Sequence, residues 1–430
     1  MLEKTISLLK ERYNFTDETL SLYEKALNDC EDQFREFNEI REFNQMKVLN
    51  AFQEERISDT HFSNTSGYGY DDIGRDSLDK VYAKIFNAEA ALVRPHFVNG
   101  THAIGAALMG NLRPGDKILC ITGKPYDTLL NVIGINCDDN IGSLKEYGVD
   151  NEVIELSKTG RIDIDKTKES LKDSKIKIIH MQRSTGYGWR KAFSVNELEE
   201  AIKEIKKIRP DVNVFVDNCY GEFIDTIEPT DVGADLIAGS LIKNIGGGLA
   251  PAGGYIVGKR KLVEQASYRL TVPGIGAECG ATFGLMKSMF QGLFLAPHVA
   301  IEAVKGAVFC ARIMELAGFE VLPKYNDKRS DIIQAIKFGN KENLINFIKG
   351  IQYAAPIDSF VECEPWAMPG YKDEVIMAAG AFIQGSSIEL SADAPIREPY
   401  IAYMQGGLTF DHSKIGVLIA LNNVLTKKTY

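Results

Sequence analysis

Residues 235–258 read DLIAGSLIKNIGGGLAPAGGYIVG. An apolar run closes on Ser240, reaches Lys243 three residues later and then passes into glycines. A short apolar run bounded by glycines has the character of a strand buried on both faces, as in a parallel sheet. A solvated lysine needs no such setting. With Gly239, Gly246, Gly247 and Gly248 around it, Lys243 has room beside it for a ligand. Burial there is expected to lower its pKa and leave it a neutral, nucleophilic amine.

Working outward, further apolar runs alternate with helical stretches: KILCIT (117–122), NEVIEL (151–156), KIKIIHMQ (175–182), VNVFVDN (212–218), DLIAGS (235–240) and GGYIVG (253–258). Strands alternating with helices predict an α/β domain whose mostly parallel sheet carries helices on both faces. This domain is placed at 56–295. Residues 1–55 are highly charged and helical in period, an arm or packing platform. Residues 281–317 predict a long helix with a kink or break at Pro297. From 296 to 430 the pattern turns mixed, as in a smaller α+β domain.

A chain of 430 residues with 45% hydrophobic content suits these two cores without help from metals or disulfides. Cys30, Cys120, Cys137, Cys219, Cys279, Cys310 and Cys363 are odd in number and scattered, the pattern of a reduced compartment. The net charge of -10 is spread over mixed-sign segments and gives no nucleic-acid surface. The opening MLEKTISLLKERYNF is not an ordinary signal peptide. No run reaches the roughly 18 apolar residues of a membrane span. A cytoplasmic protein is expected, with no nucleic-acid or membrane partner.

In open α/β sheets ligands sit beyond the carboxyl ends of the strands. VNVFV runs directly into Asp217 and Asn218, and HFVNGTHAIGAAL places Asn99, Gly100 and Thr101 before an alanine-rich helix. Each has an ordinary reading alone, as a turn, a cap or a strand flank. Together with Lys243 they form a set: an anion cradle at a helix start, a carboxylate at a strand end and an amine. Pyridoxal 5'-phosphate needs those three groups, for its phosphate, its ring nitrogen and its aldehyde.

The segment GYGYDDIGRDSLDKVYAKIFNAEAALVRPHFVNGTHAI (67–104), followed by VDNCYGEF (216–223) and GSLIKN (239–244), resembles fold-type-I pyridoxal-phosphate enzymes of the cystathionine and methionine lyase group. QRSTGYGWR (182–190), KNIGGGLAPAGGYIVG (243–258) and REPYIAYMQGGLT (397–409) resemble a divergent branch of it, methionine γ-lyase-like or cystathionine β-lyase-like and often labelled an aluminium resistance protein. The resemblance covers nearly the whole chain. It implies a large domain of the aspartate aminotransferase type with a smaller C-terminal domain.

It also implies roles. Lys243 binds the cofactor aldehyde and then moves protons, Asp217 pairs with the ring nitrogen, and Ser240 with the backbone at Gly100 and Thr101 holds the phosphate. Tyr126, in GKPYDTL (123–129), matches the aromatic that stacks on the ring and serves as a proton donor to a leaving group. Relatives carry a tyrosine and an arginine two apart that reach a neighbouring subunit's phosphate. Here Tyr70 keeps the first place, Asp72 stands at the second and Arg75 is the nearest replacement. The usual asparagine at the ring hydroxyl is also missing, so Gln182 or Ser184 takes that contact or neither does. Arg397, in SADAPIREPYIAYMQGG (391–407), is the choice for the substrate carboxylate, which its planar fork can grip with two bonds.

Other signals are set aside. DIDKTKESL (163–171) starts like a calcium loop but has Lys168 in place of the required glycine and Ser174 in place of the glutamate, and Asp165 reads as a helix cap. His102 and His180 lack metal-ligand spacing and read as cofactor-shell or core residues, so no metal is expected. The function expected is a carbon–sulfur lyase acting on a sulfur-containing amino acid, by β- or γ-elimination, in a homodimer or homotetramer with shared active sites. The rivals are another reaction of the same cofactor, aldol cleavage or transamination, and a cofactor-bearing binding or regulatory protein.

Overall fold

The computed structural model describes residues 3–135, 140–368 and 373–427. Cys137 lies outside them. The chain divides into two compact units, one of residues 42–297 and one that joins residues 1–41 to 298–430. Both divisions fall inside long helices, Glu31–Glu54 and Met286–Leu316, whereas the sequence reading drew its limits at 55 and 295.

Unit 42–297 is built on a seven-stranded sheet: β1 (Ala90–Arg94), β2 (Lys117–Cys120), β3 (Asp150–Val153), β4 (Ile176–Gln182), β5 (Asn213–Asp217), β6 (Leu236–Ser240) and β7 (Gly254–Gly258), in the order β1-β7-β6-β5-β4-β2-β3. β2 to β6 pair in parallel, and β7 runs antiparallel to both its neighbours. All six quoted runs are strands. β5 and β6 are buried almost end to end, which explains why they read as continuous apolar runs.

The helices follow the local chemistry. Ser194 caps Val195–Ile208 in a reciprocal capping box with Glu197, and Leu198, Ala201, Ile202 and Ile205 recur at helical spacing on its buried face. Gly100–Asn111 packs so tightly on Arg260–Leu270 that a Cβ at Gly110 would lie 2.6 Å from the Gln265 carbonyl. The calcium-like stretch folds as the helix Ile164–Ser170, whose cap is Asp163 rather than Asp165. The Asp163 side chain accepts from the Lys166 N–H, and Asp165 sits inside the first turn.

The other unit carries β8 (Glu320–Leu322), β9 (Gln334–Lys337), β10 (Val375–Ala378), β11 (Ser391–Pro395) and β12 (Ile401–Gln405), antiparallel throughout in the order β10-β11-β12-β9-β8. Helices Lys341–Tyr353 and Phe410–Thr426 meet where Gly350 faces Ala420, and a Cβ at Gly350 would lie 2.4 Å from the Ala420 Cα. Leu20 and Tyr23 of the N-terminal helices join Phe309, Ile348 and Leu418 in this core.

The helix Met286–Leu316 continues through Pro297, where a kink or a break was expected, and the two units divide immediately after that proline. It is the one helix among the described residues long and apolar enough to cross a membrane, but its most apolar window is 78% buried within the protein. An all-round apolar helix of this kind is a core helix.

Candidate functional site

β4, β5 and β6 are neighbours, and each ends on a buried polar residue: Gln182, Asp217 and Ser240. Gln182 and Asp217 are partners in register across β4 and β5. Lys243 follows β6 at the head of a short helical turn, Asn244–Gly246. The helix start at Gly100 packs directly on this edge, since a Cβ at Gly100 would lie 3.1 Å from Ser240 Cβ and 3.6 Å from Cys219 Sγ. A larger residue there would push the helix off the strand ends.

Asn99 caps that helix by accepting from the His102 N–H, and its carbonyl accepts from Ala103. The Gly100 and Thr101 N–H groups have no intrahelical acceptor, as at any helix start, and so are available to an anion. The Thr101 hydroxyl is 2.8 Å from that of Thr128, which ties the helix to the Tyr126 segment. Gln182 holds that segment too: its Oε1 accepts from the Tyr126 N–H at 2.8 Å, while its Nε2 donates to the Ser184 carbonyl at 3.1 Å. Tyr126 lies 5.9 Å from Tyr187, ring to ring.

The glycines around Lys243 allow close backbone packing. Gly247 adopts φ 56°, and a Cβ there would lie 2.2 Å from the Gly292 carbonyl, so the loop is seated against the helix that starts at Met286. Gly239 faces Tyr255, whose ring would be 2.7 Å from any Cβ at that position. Gly239 and Gly247 thus each permit a close packing contact that a side chain would block.

The surroundings of Lys243 differ from those expected. Its Nζ sits 4.0 Å from the centre of the Tyr220 ring, a favourable place for a cation. Burial pushes its pKa down, but Cys219, Tyr220, Asp217 and Glu222 outweigh burial, and the ammonium is held above the ordinary lysine range. The sequence reading anticipated a depressed value. Acidic groups on the neighbouring loop, distant from the lysine in sequence, are the reason for the difference.

Burial raises the Asp217 pKa, opposed by the Lys243 charge and by the Cys219 N–H, which donates to Asp217 Oδ1 at 3.1 Å. The loop after Asp217 is strained, with positive φ at Tyr220 (71°) and Phe223 (64°). Buried Glu228 over-determines it by accepting from the Phe223 N–H at 2.9 Å, Asn218 Nδ2 at 3.1 Å and Arg183 at 3.3 Å. Glu222, also fully buried, accepts from the Tyr255 hydroxyl at 2.7 Å. Sequence reasoning missed Glu222, Glu228, Arg183 and Asn244. The one available signal was a carboxylate inside VDNCYGEF, immediately after a strand end.

The other candidates are placed elsewhere. Arg75 is buried, and its guanidinium donates to the Gly69, Gly280 and Glu278 carbonyls and to Asp76 Oδ1. Within its own chain these donors close the SGYGYDD turn. Tyr70 is 59% exposed and stacked on Tyr68 at 5.4 Å. Arg397 belongs to the other unit, where its exposed side chain pairs with Asp373 at 3.0 Å. His102 Nδ1 accepts from the Val98 N–H, and His180 is a core residue beside Phe215. Among the described residues no group of His, Cys, Asp and Glu is arranged to hold a metal ion.

The donor set fits pyridoxal phosphate. Free N–H groups at a helix start and the Ser240 hydroxyl suit a phosphate, Asp217 suits a protonated ring nitrogen, and Lys243 suits an aldehyde. Gly100, whose position a Cβ would fill, brings the first of these against the others.

The chain is similar to several known proteins. The family model for methionine gamma-lyase matches residues 19–425. A protein of Bacillus subtilis, the uncharacterized YnbB, is 52% identical over 92% of this chain and 93% of its own. The crystal structure of a Clostridium novyi protein described as a carbon-sulfur lyase involved in aluminum resistance is 64% identical, with a TM-score of 0.96 over 99% of this chain and 100% of that one. At 15% identity, the pyridoxal-5'-phosphate dependent protein YhfS of Escherichia coli shares the fold, with a TM-score of 0.61 over 91% of this chain and 97% of that one.

Proposed function

Because the chain belongs to the methionine gamma-lyase family, we propose that it is a pyridoxal-phosphate-dependent lyase that cleaves the carbon–sulfur bond of a sulfur-containing amino acid. The observation that carries the reading is the convergence of Lys243, Asp217, Ser240 and the Gly100 helix start at the carboxyl ends of adjacent strands. The name of the Clostridium novyi relative supports the reaction class.

When bound, pyridoxal phosphate supplies an aldehyde that joins an amino group and a ring that takes up electrons released at the substrate Cα. The chain's own groups do the rest. Asp217 keeps a proton on the ring nitrogen, and the Lys243 amine removes the proton from Cα. For a β-elimination that one deprotonation suffices before the thiol departs. For a γ-elimination Lys243 also takes a proton at Cβ. Tyr126 donates the proton that the departing sulfur needs, and Gln182 fixes the segment that carries it. Arg397 is assigned to the substrate carboxylate, which would draw it from Asp373. Tyr70, on the exposed aromatic pair, is assigned to the partner subunit's cofactor phosphate in a symmetric dimer or tetramer.

The test is a panel of cysteine, cystathionine, methionine and non-sulfur amino acids, followed by absorbance and by assays for keto acid and released thiol. Pyruvate or 2-oxobutanoate with a stoichiometric thiol is expected, and Arg397→Lys is expected to raise KM without altering the cofactor spectrum. Spectral change without product from every sulfur amino acid would contradict the lyase reading.

A further inference from the structure

Glu222 has no place in the donor set above, yet it is fully buried with Oε1 accepting from the Tyr255 hydroxyl at 2.7 Å. Its Oε2 is buried without a hydrogen-bond partner among the described residues. A carboxylate so placed loses its hydration with one acceptor site unmet, a costly arrangement in a site with no other use. The loop is also fixed to the lysine. Asn244, next in sequence to Lys243, donates from Nδ2 to the Tyr220 carbonyl at 3.0 Å and to the Glu222 carbonyl at 3.2 Å. Gly239 makes room for the Tyr255 ring that reaches Glu222.

We propose that Glu222 is a positioning residue for the Lys243 amine: a buried carboxyl that gives up its charge as the amine gives up its own. Lys243 must pass between ammonium and neutral amine to react with an aldehyde and to take the Cα proton. Losing its charge alone would leave the Glu222 carboxylate in the interior without the lysine charge that supports it, and the reverse would leave the ammonium to Asp217 and the Tyr220 ring. Exchange of charge between the two keeps the net charge of the pair the same in each state. The inference rests on the cofactor reading for its purpose, though the coupling belongs to the chain itself.

The groups that act on Glu222 come from each surrounding element. Tyr255 on β7 and Tyr82 on the helix Ile73–Ile85 lie 5.9 Å apart, ring to ring. Lys243 follows β6, and Cys219 and Glu228 share the Glu222 loop. Burial is the largest influence and raises the Glu222 pKa to about 8; the Tyr255 hydrogen bond and the Lys243 charge oppose it, and Glu228 adds to it. Tyr82 and Tyr255 are themselves raised by burial and stay neutral across this range, with Tyr255 the donor to Glu222.

The experiment is a pH titration of the visible absorbance of protein loaded with pyridoxal phosphate, in the native chain, Glu222→Gln and Tyr255→Phe. Removing the carboxylate withdraws support from positive charge at the Lys243 nitrogen, so the Glu222→Gln midpoint is expected to fall by about one pH unit or more, ten-fold in proton affinity. Tyr255→Phe strengthens the hold of Glu222 on its own proton, so a smaller fall in the same direction is expected. In parallel, cofactor-free protein is acetylated across the pH range and Lys243 modification read by mass spectrometry, with the same order of midpoints expected. Absence of a visible band in the native protein would contradict the cofactor reading, and the acetylation midpoints would still decide the role of Glu222. Midpoints in both variants within about 0.2 unit of native, by either method, overturn the proposal. Should Glu222→Gln fail to fold, the Tyr255→Phe midpoint decides alone.

Discussion

Gln182 Oε1 accepts the Tyr126 backbone N–H at 2.8 Å, and this bond joins the end of β4 to the segment that carries Tyr126. Gln182→Ala removes this acceptor from a part-buried N–H, a loss of about 1 kcal/mol on the scale of a typical net hydrogen bond. Denaturant unfolding should show the destabilisation, together with reduced kcat/KM. Gln182→Glu keeps an acceptor for that N–H but sets a buried carboxylate against the Ser184 carbonyl, to which Nε2 donates in the native chain, and should not recover the stability. Equal stability in Gln182→Ala would mean that the bond does not hold the segment.

Asp217→Asn preserves an oxygen for the Cys219 N–H and should fold normally. It cannot hold a proton on a ring nitrogen by charge. Turnover should fall on the order of 10⁴-fold, the scale at which a misplaced charged partner costs elsewhere. Steady-state kinetics on fully loaded variant protein checks this, and near-native kcat would remove Asp217 from its role.

His180 predicts a pH effect unrelated to catalysis. Its ring is fully buried, neither nitrogen has a partner among the described residues, and burial lowers its pKa to about 4. The folded value lies below the unfolded one, so this contribution to stability is complete above about pH 6.5 and is lost as pH falls towards 4. The loss amounts to about 3 kcal/mol. His180→Phe should flatten the fall in unfolding free energy between pH 7 and pH 4.5, as followed by urea denaturation. An acid limb as steep as the native one would show that other groups govern it.

What was legible in the sequence follows from these environments. Strands buried on both faces, such as VNVFV and LIAGS, announce themselves as apolar runs, and a polar residue that ends such a run stands out. Asp217 and Lys243 were found that way and Ser240 through the family resemblance, and the structure brings Ser240 and Asp217, at the ends of adjacent strands, together with the Gly100 helix start. In the other unit β11 is SADAP, wholly buried but too polar and too short to show a period, so its strands could not be placed individually. Glu222 and Glu228 look like ordinary loop acids until β7 and Arg183 close over them. Arg75 reads as an outward charge in a turn, whereas the nearby Gly69 carbonyl and the sequence-distant Glu278 and Gly280 carbonyls enclose it within its own chain.

The exposed Tyr68–Tyr70 pair gives the assembly its test. Chains carrying Lys243→Ala and chains carrying Tyr70→Phe should each be nearly inactive alone. Mixed dimers rebuild one site from an intact Lys243 and the partner's intact Tyr70, so co-refolded chains should recover about a quarter of native activity, the statistical share of such sites. Verified hybrids as inactive as their parents would confine each site to one chain.

Reduction of the purified, cofactor-loaded protein with borohydride, followed by peptide mapping, tests the central assignment most directly. The account predicts a yellow protein that loses its visible band on reduction, with the reduced pyridoxal group found on the peptide that contains Lys243. A label on any other lysine, with Lys243 recovered unmodified, would contradict it.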